Sequence, residues 1–402
     1  MAEAADVQTF AQSCSDMRDL REMTLGELEQ AVAEAGEAPY RARQVMRWLW
    51  TREAASVDAM HEVPARLRQY LKRHFKISRL SASCVERSAD GTRKLLLRLD
   101  DGVEIESVII PAEDRTTLCI SSQAGCAMAC QFCATARMGL HRNLAASEIL
   151  GQIIAARPEC SDNERLTNYV FMGMGEPLAN YVRLSNALTI MTAEWGLAIS
   201  PRRITVSTVG LVPAMERLLA DFPVNLAVSL HATLDQLRDR LAPINRRYPL
   251  AELLDACRRL PLNRRSRITF EYVMLSGVND SLEDARRLLR MLAPLKSKVN
   301  LILFNPFAGA LFQPSPREQV ENFQAILLRG NLTATIRESR GQDIAAACGQ
   351  LYAQRGARIR TEGNPFPGPP ARGEPLSPSP FRGKGTQYVP LLLKGKGLGE
   401  RF

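Results

Sequence analysis

Apolar residues follow two different periods along this chain, and the switches between them mark out its elements. Near the amino end the period is helical: Leu25, Leu28 and Val32 recur every three or four residues behind Thr24-Leu-Gly-Glu27. That tetrapeptide is a capping box, in which the hydroxyl and the carboxylate each satisfy the other residue's backbone amide. Gly36 marks the stop. A second helix over 40–50 sets Val45, Trp48 and Leu49 on an apolar face, with Arg41, Arg43 and Arg47 on the other and Arg52 just beyond. A third helical stretch carries Arg66, Arg68, Lys72, Arg73 and Lys76.

The period then shortens to two. Segments 94–99 and 103–110 read as strands joined through Asp101-Gly102, a favoured hairpin turn. In the second strand Glu104, Glu106 and Val108 share one face, and a solvated strand carboxylate is the ordinary place for Glu106. From 117 to 337 strand-like and helix-like segments alternate. Candidate strands cover 117–121, 168–172, 203–209, 225–230, 268–274 and 299–304, with a seventh at 334–337; helices cover 180–194, 212–219, 250–260 and 282–292. Such alternation predicts an α/β fold with a parallel sheet, here an incomplete parallel (β/α)6 barrel.

The predicted organisation is a flexible leader (1–16), a helical accessory domain (17–92), a β-hairpin extension (93–116), the barrel (117–354) and a disordered tail (355–402). The tail is set apart by runs such as Asn364-Pro-Phe-Pro-Gly-Pro-Pro370, which build neither helix nor sheet interiors.

Composition narrows the class. At 46% apolar and 24% charged the chain reads as an ordinary soluble protein, and no apolar run approaches the roughly 18 residues of a membrane span. The amino terminus lacks a signal-peptide pattern, so the expectation is a cytoplasmic protein without membrane contact. A net charge of +9 points towards a polyanionic partner, but nine Lys or Arg against three Glu in 355–402 leave only +3 for the rest. Bulk charge is therefore weak support for nucleic acid. The Arg/Lys face of the amino-terminal helices is as consistent with a solvated surface as with RNA contact.

Chemistry concentrates at Cys119 and at Cys126, Cys130 and Cys133, whose spacing is C-x3-C-x2-C. Structural zinc favours four Cys or His ligands in two paired halves, and no second half follows. A disulfide framework fits poorly with nine cysteines, an odd number, in a long chain. Three thiolates in eight residues suit one face of an iron–sulfur cube, leaving one iron open to a substrate or cofactor. Further polar or Gly-rich signals each follow a different predicted strand: Gly173-Met-Gly175-Glu176-Pro177, Ser207, Ser229-Leu230-His231 and Asn305-Pro306. In barrels, active sites gather at the carboxyl ends of the strands. Singly, each has an ordinary reading: a turn, a strand serine, a histidine bonded to a neighbour, an asparagine before proline. Cys348, in the small-residue run before Gly349, is on its own most simply a buried inert thiol, as are Cys84, Cys160 and Cys257; Cys14 is incidental.

The cysteine spacing, with Phe132 before its last member, resembles the radical SAM superfamily (SAM, S-adenosylmethionine). Longer blocks carry a narrower likeness: Thr-Leu-Cys-Ile-Ser-Ser-Gln-Ala-Gly-Cys, Phe-Met-Gly-Met-Gly-Glu-Pro, Ser-Leu-His-Ala, Ile-Asn-Arg-Arg-Tyr-Pro and Asp-Ile-Ala-Ala-Ala-Cys-Gly-Gln-Leu. Over roughly 17–352 the chain resembles the RlmN/Cfr family of RNA adenosine methyltransferases, and Glu176-Pro177 and Arg340-Gly341 lean towards its RlmN branch.

The resemblance implies a 4Fe-4S cluster on Cys126, Cys130 and Cys133 with SAM at the open iron, and two SAM molecules per turnover. It implies SAM contacts from Gly175, Glu176, Ser207, Ser229, Leu230, His231 and Asn305. Cys348 is implied as the methyl-carrying cysteine, Cys119 as the thiol that resolves a transient protein–RNA adduct, and Glu106 as proton acceptor. The implied substrates are 23S rRNA and a subset of tRNAs, methylated at carbon 2 of adenosine, with a flavodoxin-type electron donor and a monomeric enzyme. Alternatives are a Cfr-like enzyme acting at carbon 8, a noncatalytic iron–sulfur RNA-binding protein and a zinc-stabilised RNA-binding module.

Overall fold

The strand-like segments form a single ten-stranded sheet. The structure is a computed structural model that describes residues 17–263 and 266–352; the expected leader and tail lie outside the described residues. In chain order the strands are β1 (Ser81–Arg87), β2 (Arg93–Arg98), β3 (Glu104–Pro111), β4 (Thr116–Cys119), β5 (Leu166–Phe171), β6 (Ile204–Thr208), β7 (Asn225–Ser229), β8 (Ile268–Met274), β9 (Ser297–Leu303) and β10 (Ala334–Arg337). Each is bonded to its neighbours in sequence order. The pairings from β4 through β10 are parallel, and those from β1 through β4 are antiparallel.

Every parallel crossover contains a helix, as such connections require. The helices are α1 (Leu25–Glu34), α2 (Tyr40–Trp50), α3 (Ala65–His74), α4 (Ala134–Arg137), α5 (Ala146–Ala156), α6 (Tyr181–Thr192), α7 (Val212–Asp221), α8 (Asp235–Leu241), α9 (Leu250–Arg259), α10 (Leu282–Leu292) and α11 (Arg317–Arg329). Covered on both faces, the central strand β8 is buried at all seven positions. The result is the expected incomplete barrel with its seventh parallel strand at the edge. Among the described residues no helix is long and apolar enough to cross a membrane.

Two features depart from the sequence reading. The hairpin is a three-stranded antiparallel meander, because β1 joins it; the boundary expected at 92/93 falls inside this meander. The residues of β1, Ser-Ala-Ser-Cys-Val-Glu-Arg, are small and polar and show little alternation. The second feature is a two-stranded clamp, Gln123–Gly125 against Leu140–Asn143, which holds the cysteine loop at both ends. At the amino end the capping box forms as read, with Thr24 and Glu27 each bonded to the other's backbone. Leu28, Val32, Val45, Leu49 and Trp50 are fully buried there.

Gly125 shows how tight the clamp is. Its φ is +78°, and a Cβ at this position would lie 1.9 Å from the Gly139 carbonyl oxygen, a backbone atom that cannot swing away. Gly125→Ala is expected to cost at least about 2 kcal/mol, read as a lower urea midpoint at unchanged m-value; an unchanged midpoint would show that the clamp is not rigid.

Candidate active site

The cysteine loop leaves the clamp at Cys126 and reverses at Ala129, which has a left-handed φ of +55°. Cys126 is buried, while Cys130 and Cys133 are half-buried. Two backbone bonds seat the loop. Gln131 N–H donates to the Leu241 carbonyl of α8 (3.0 Å), and Ala134 N–H donates to the Gly349 carbonyl (2.7 Å). Burial pushes the Cys126 thiol up to about 12. Cys130 is raised well above the ordinary range by burial and then by its two neighbouring thiols. Cys133 is raised by burial and partly relieved by donors at the start of α4.

The rim continues with the loop after β5. Gly175 has φ +101°, and a Cβ there would lie 2.5 Å from Gln123 Cβ; one at Gly173 would lie 2.7 Å from Ser121 Oγ. These glycines let the loop lie directly on the chain leading into the cysteine clamp. Glu176 is buried beside it. Its carboxylate oxygens accept from Leu178 N–H (3.0 Å) and Val209 N–H (2.8 Å), and its own N–H donates to Gln123 Oε1 (2.8 Å). Burial outweighs those two bonds and lifts the carboxyl to about 7.

Ser207 is half-buried on β6, paired with Ala227 of β7. Beyond β7, Ser229 is half-buried and Leu230 fully buried, and His231 takes a left-handed φ of +58°. The Val273 N–H donates to His231 Nδ1 (3.1 Å) and Asn279 donates to the His231 carbonyl (2.8 Å). Burial drives the imidazole down to about 3, so it is neutral with its proton on Nε2. Its ring meets Phe132 of the cysteine loop edge-on at 4.4 Å. The bond to a neighbour is thus present, and it aims the ring at the cysteine loop.

The segment 341–352 closes the site. Besides the Gly349 bond, Thr135 Oγ1 donates to the Leu351 carbonyl (2.7 Å) and Asn305 Nδ2 to the Cys348 carbonyl (3.2 Å). Gln342 Nε2 donates to Asn305 Oδ1 (2.8 Å), so the Asn305 side chain positions the Cys348 turn. Cys348 is exposed as a residue, in contrast to the buried position that its small-residue run suggests, while its thiol is desolvated by its surroundings. Cys119 is buried, and its pKa is raised by burial and by the nearby Cys348 thiol, so the two sulfurs lie within electrostatic reach of each other.

Glu106 corrects the sequence reading outright. It is 5% exposed, not a solvated strand residue. Its carboxylate accepts from Tyr352 N–H (2.7 Å) and pairs with Lys94 Nζ (3.5 Å), which also donates to the Ile344 carbonyl (2.6 Å). Burial is the largest influence on it and raises its pKa against the pull of Lys94. The antiparallel register sets Cys119 opposite Val108, so Cys119 and Glu106 emerge on the same face. The Ser121 hydroxyl donates to the Glu106 carbonyl (2.6 Å) and accepts from Met174 N–H (2.8 Å), tying three strand ends together.

Sequence reasoning passed over Lys94, Gln123, Ser121, Glu271 and Arg238. Glu271 is buried with Asn300 (2.9 Å), and its charge adds to the local desolvation that raises the Cys348 thiol. These residues act through contacts distant in sequence, and no local spacing flags them. As for what the cysteines hold, three mutually repelling thiols suit a group that carries positive charge to each sulfur. No three His, Cys, Asp or Glu side chains converge on a single-ion position among the described residues. Three cysteines on one loop, with no fourth ligand needed, fit three corners of a multi-iron cluster.

Comparison with known proteins agrees. Residues 120–289 match the profile of the Radical SAM superfamily, and residues 18–77 match that of the Ribosomal RNA large subunit methyltransferase N-terminal domain. The chain is similar to the dual-specificity RNA methyltransferase RlmN of Geobacter sulfurreducens, 53% identical over 335 residues covering 83% of this chain and 92% of that protein. It is also similar to the protein of the same name from Anaeromyxobacter sp. strain Fw109-5, 49% identical over 363 residues covering 89% and 94%. Among solved structures, a radical SAM methyltransferase from Sphaerobacter thermophilus aligns with a TM-score of 0.79 at 46% identity, covering 84% of this chain and 100% of that one.

The raised Glu176 carboxyl has a measurable consequence. With a folded pKa of about 7 against an ordinary 4.5, its stabilising share is fully present below pH 4.5 and is lost as pH rises through about 7. The difference corresponds to on the order of 3 kcal/mol in the ligand-free protein. Glu176→Gln, neutral at every pH, is expected to flatten the fall in Tm across that window; an unchanged slope counts against a buried, protonated Glu176.

Proposed function

The chain belongs to the RlmN family of radical SAM RNA methyltransferases, and we propose that it methylates carbon 2 of one adenosine in 23S rRNA and of the adenosine 3′ to the anticodon in a subset of tRNAs. One observation carries this reading: the segment bearing the exposed residue Cys348 is hydrogen-bonded both to the cysteine loop and to the buried carboxylate of Glu106, and the buried Cys119 shares that carboxylate's strand face. Carbon 2 of adenine is electron-poor, so a methyl group cannot pass to it by simple nucleophilic attack on a sulfonium. Cys126, Cys130 and Cys133 would hold a 4Fe-4S cluster, which together with SAM would supply radical chemistry.

The chain's own residues do the rest. Gly175, Glu176, Ser207, Ser229, Leu230, His231 and Asn305 would form the SAM wall, with Glu176 as the acidic group available to its ammonium. Cys348 carries the methyl group, on an exposed turn that an unstacked base can approach. Glu106, raised in pKa and anchored by Tyr352 N–H, takes the ring proton. Cys119 then attacks the Cys348 sulfur of a methylene-bridged protein–RNA adduct; the new S–S bond replaces the S–C bond, the thiol proton passes to the freed methylene carbon to complete the methyl group, and an external reductant reopens the disulfide. Burial holds Cys119 as a neutral thiol until then, which guards against early closure onto Cys348. Exposed Arg43, Arg47, Arg66 and Arg73 on the amino-terminal helices offer phosphate contacts. A flavodoxin-type protein supplies the electrons to this cytoplasmic monomer.

A Cfr-like product at carbon 8 is separated by identifying the methyladenosine isomer in digested RNA. Peptide mass spectrometry is expected to find a methyl group on Cys348 in the wild type, and RNA covalently attached to Cys348 in Cys119→Ala. An unmodified Cys348 in cluster-loaded protein purified with SAM present would remove the methyl-carrier role.

Glu106→Gln retains an oxygen for Tyr352 N–H but cannot take a proton. Methylation of Cys348 is expected to persist while RNA product falls at least about 100-fold. Equal loss of both would recast Glu106 as a structural residue.

A further inference from the structure

Arg238 of α8 is fully buried. Its guanidinium donates to three main-chain carbonyls at the ends of two neighbouring strands: Val209 (2.7 Å), Ser229 (3.0 Å) and Leu230 (3.1 Å). A fourth bond goes to Asn245 Oδ1 (3.0 Å). Among the described residues no carboxylate lies within ion-pair distance of it. Its helix neighbours Asp235 and Asp239 are instead bound by Asn245 Nδ2, at 2.9 and 2.7 Å. Burial lowers the guanidinium only to about 10, so it is charged at neutral pH.

A buried cation without a paired anion is costly and calls for a negative group close by. The structure indicates which one. The last turn of α8 accepts Gln131 N–H at the Leu241 carbonyl (3.0 Å), which seats the residue after Cys130 on the helix that carries Arg238, and His231, next to the Leu230 carbonyl that Arg238 holds, packs against Phe132 of the same loop.

We infer that Arg238 is a positioning residue with an electrostatic role. Its buried charge raises the reduction potential of the group held by Cys126, Cys130 and Cys133, while its fork fixes the strand ends bearing Ser229 and Leu230. This rests on the reading that those cysteines hold a 4Fe-4S cluster. Three thiolates around an oxidised cube carry one net negative charge. One electron from a low-potential donor makes it two, with no bond formed or broken in the protein. A fixed cation favours the more negative state, the more so in a dry interior. Arginine suits the place because it keeps its charge when buried and its planar fork spans several acceptors, whereas lysine offers a point charge.

The test is an anaerobic redox titration, followed by EPR, of the reconstituted full-length protein without SAM. Wild type, Arg238→Met, Arg238→Lys and Asp239→Asn are compared, with SAM affinity and circular dichroism measured alongside. In Arg238→Met the reduced-to-oxidised ratio at fixed ambient potential is expected to fall about tenfold, a shift of about 59 mV for one electron. Arg238→Lys keeps the charge and is expected to hold the midpoint while SAM affinity drops about tenfold. Asp239→Asn still accepts from Asn245 but loses a counter-charge, and is expected to shift the ratio the other way by about threefold.

A folded Arg238→Met protein with full iron content and an unmoved midpoint overturns the inference. If that variant does not fold, Asp239→Asn decides: a rise supports the inference, and no change or a fall overturns it. Wild-type protein that takes up no iron and sulfide would instead overturn the underlying reading of the cysteines.

Discussion

Two hydrogen bonds, Ala134 N–H to the Gly349 carbonyl and Thr135 Oγ1 to the Leu351 carbonyl, both 2.7 Å, form the seam on which the site depends. Thr135 and Leu351 are 216 residues apart in sequence. Each bond is worth only about 0.5–1.5 kcal/mol net, but each satisfies polar groups that would otherwise be buried unpaired. Through this seam the turn bearing Cys348 is laid against the cysteine loop. Two more contacts, Tyr352 N–H to Glu106 and Lys94 to the Ile344 carbonyl, bind the same segment to the meander. The antiparallel strands are thereby made part of the barrel's chemistry instead of an appendage to it.

Burial, more than charge, divides the labour among the ionisable groups. It lifts Glu106 and Glu176, holds Cys119 as a thiol and keeps His231 neutral. The same desolvation raises the Cys348 thiol, although the residue as a whole lies exposed on its turn. For the two carboxylates the local bonds oppose the shift and lose to desolvation. A site so arranged is poised to respond to charge: a cation brought beside Glu176, or a metal group at the thiols, would reverse the balance that burial sets. Arg238 is a buried cation within the chain itself, bonded to strand-end carbonyls and carried by the helix that seats the cysteine loop.

The rim also concentrates backbone strain. Of the six described non-glycine residues with positive φ, Ala129, His231 and Ala345 lie on the three loops that meet here. A left-handed residue of this kind costs about 1–3 kcal/mol and persists only where the surroundings over-determine it. For His231 the surroundings are explicit, since Val273 and Asn279 hold its ring and its carbonyl. The reward is an imidazole aimed at Phe132 and the cysteine loop.

The sequence by itself determined what local chemistry determines. Periodicity placed α2, β8, α10 and β10 to the residue. The capping box set the start of α1, and the cysteine spacing named the kind of group that three thiolates can share. It also showed that the polar signals follow strand ends, because order along a parallel sheet is order along the chain. Where local pattern was weak, as in the small polar residues of β1, a strand passed unread. Only the tertiary structure decided that Glu106 is buried, that the residue Cys348 is exposed, and that Arg238 is fully buried on the helix that seats the cysteine loop. Burial and electrostatic reach are properties of neighbours in space, and at this site those neighbours come from β2, β3, the cysteine loop and a segment more than two hundred residues further on.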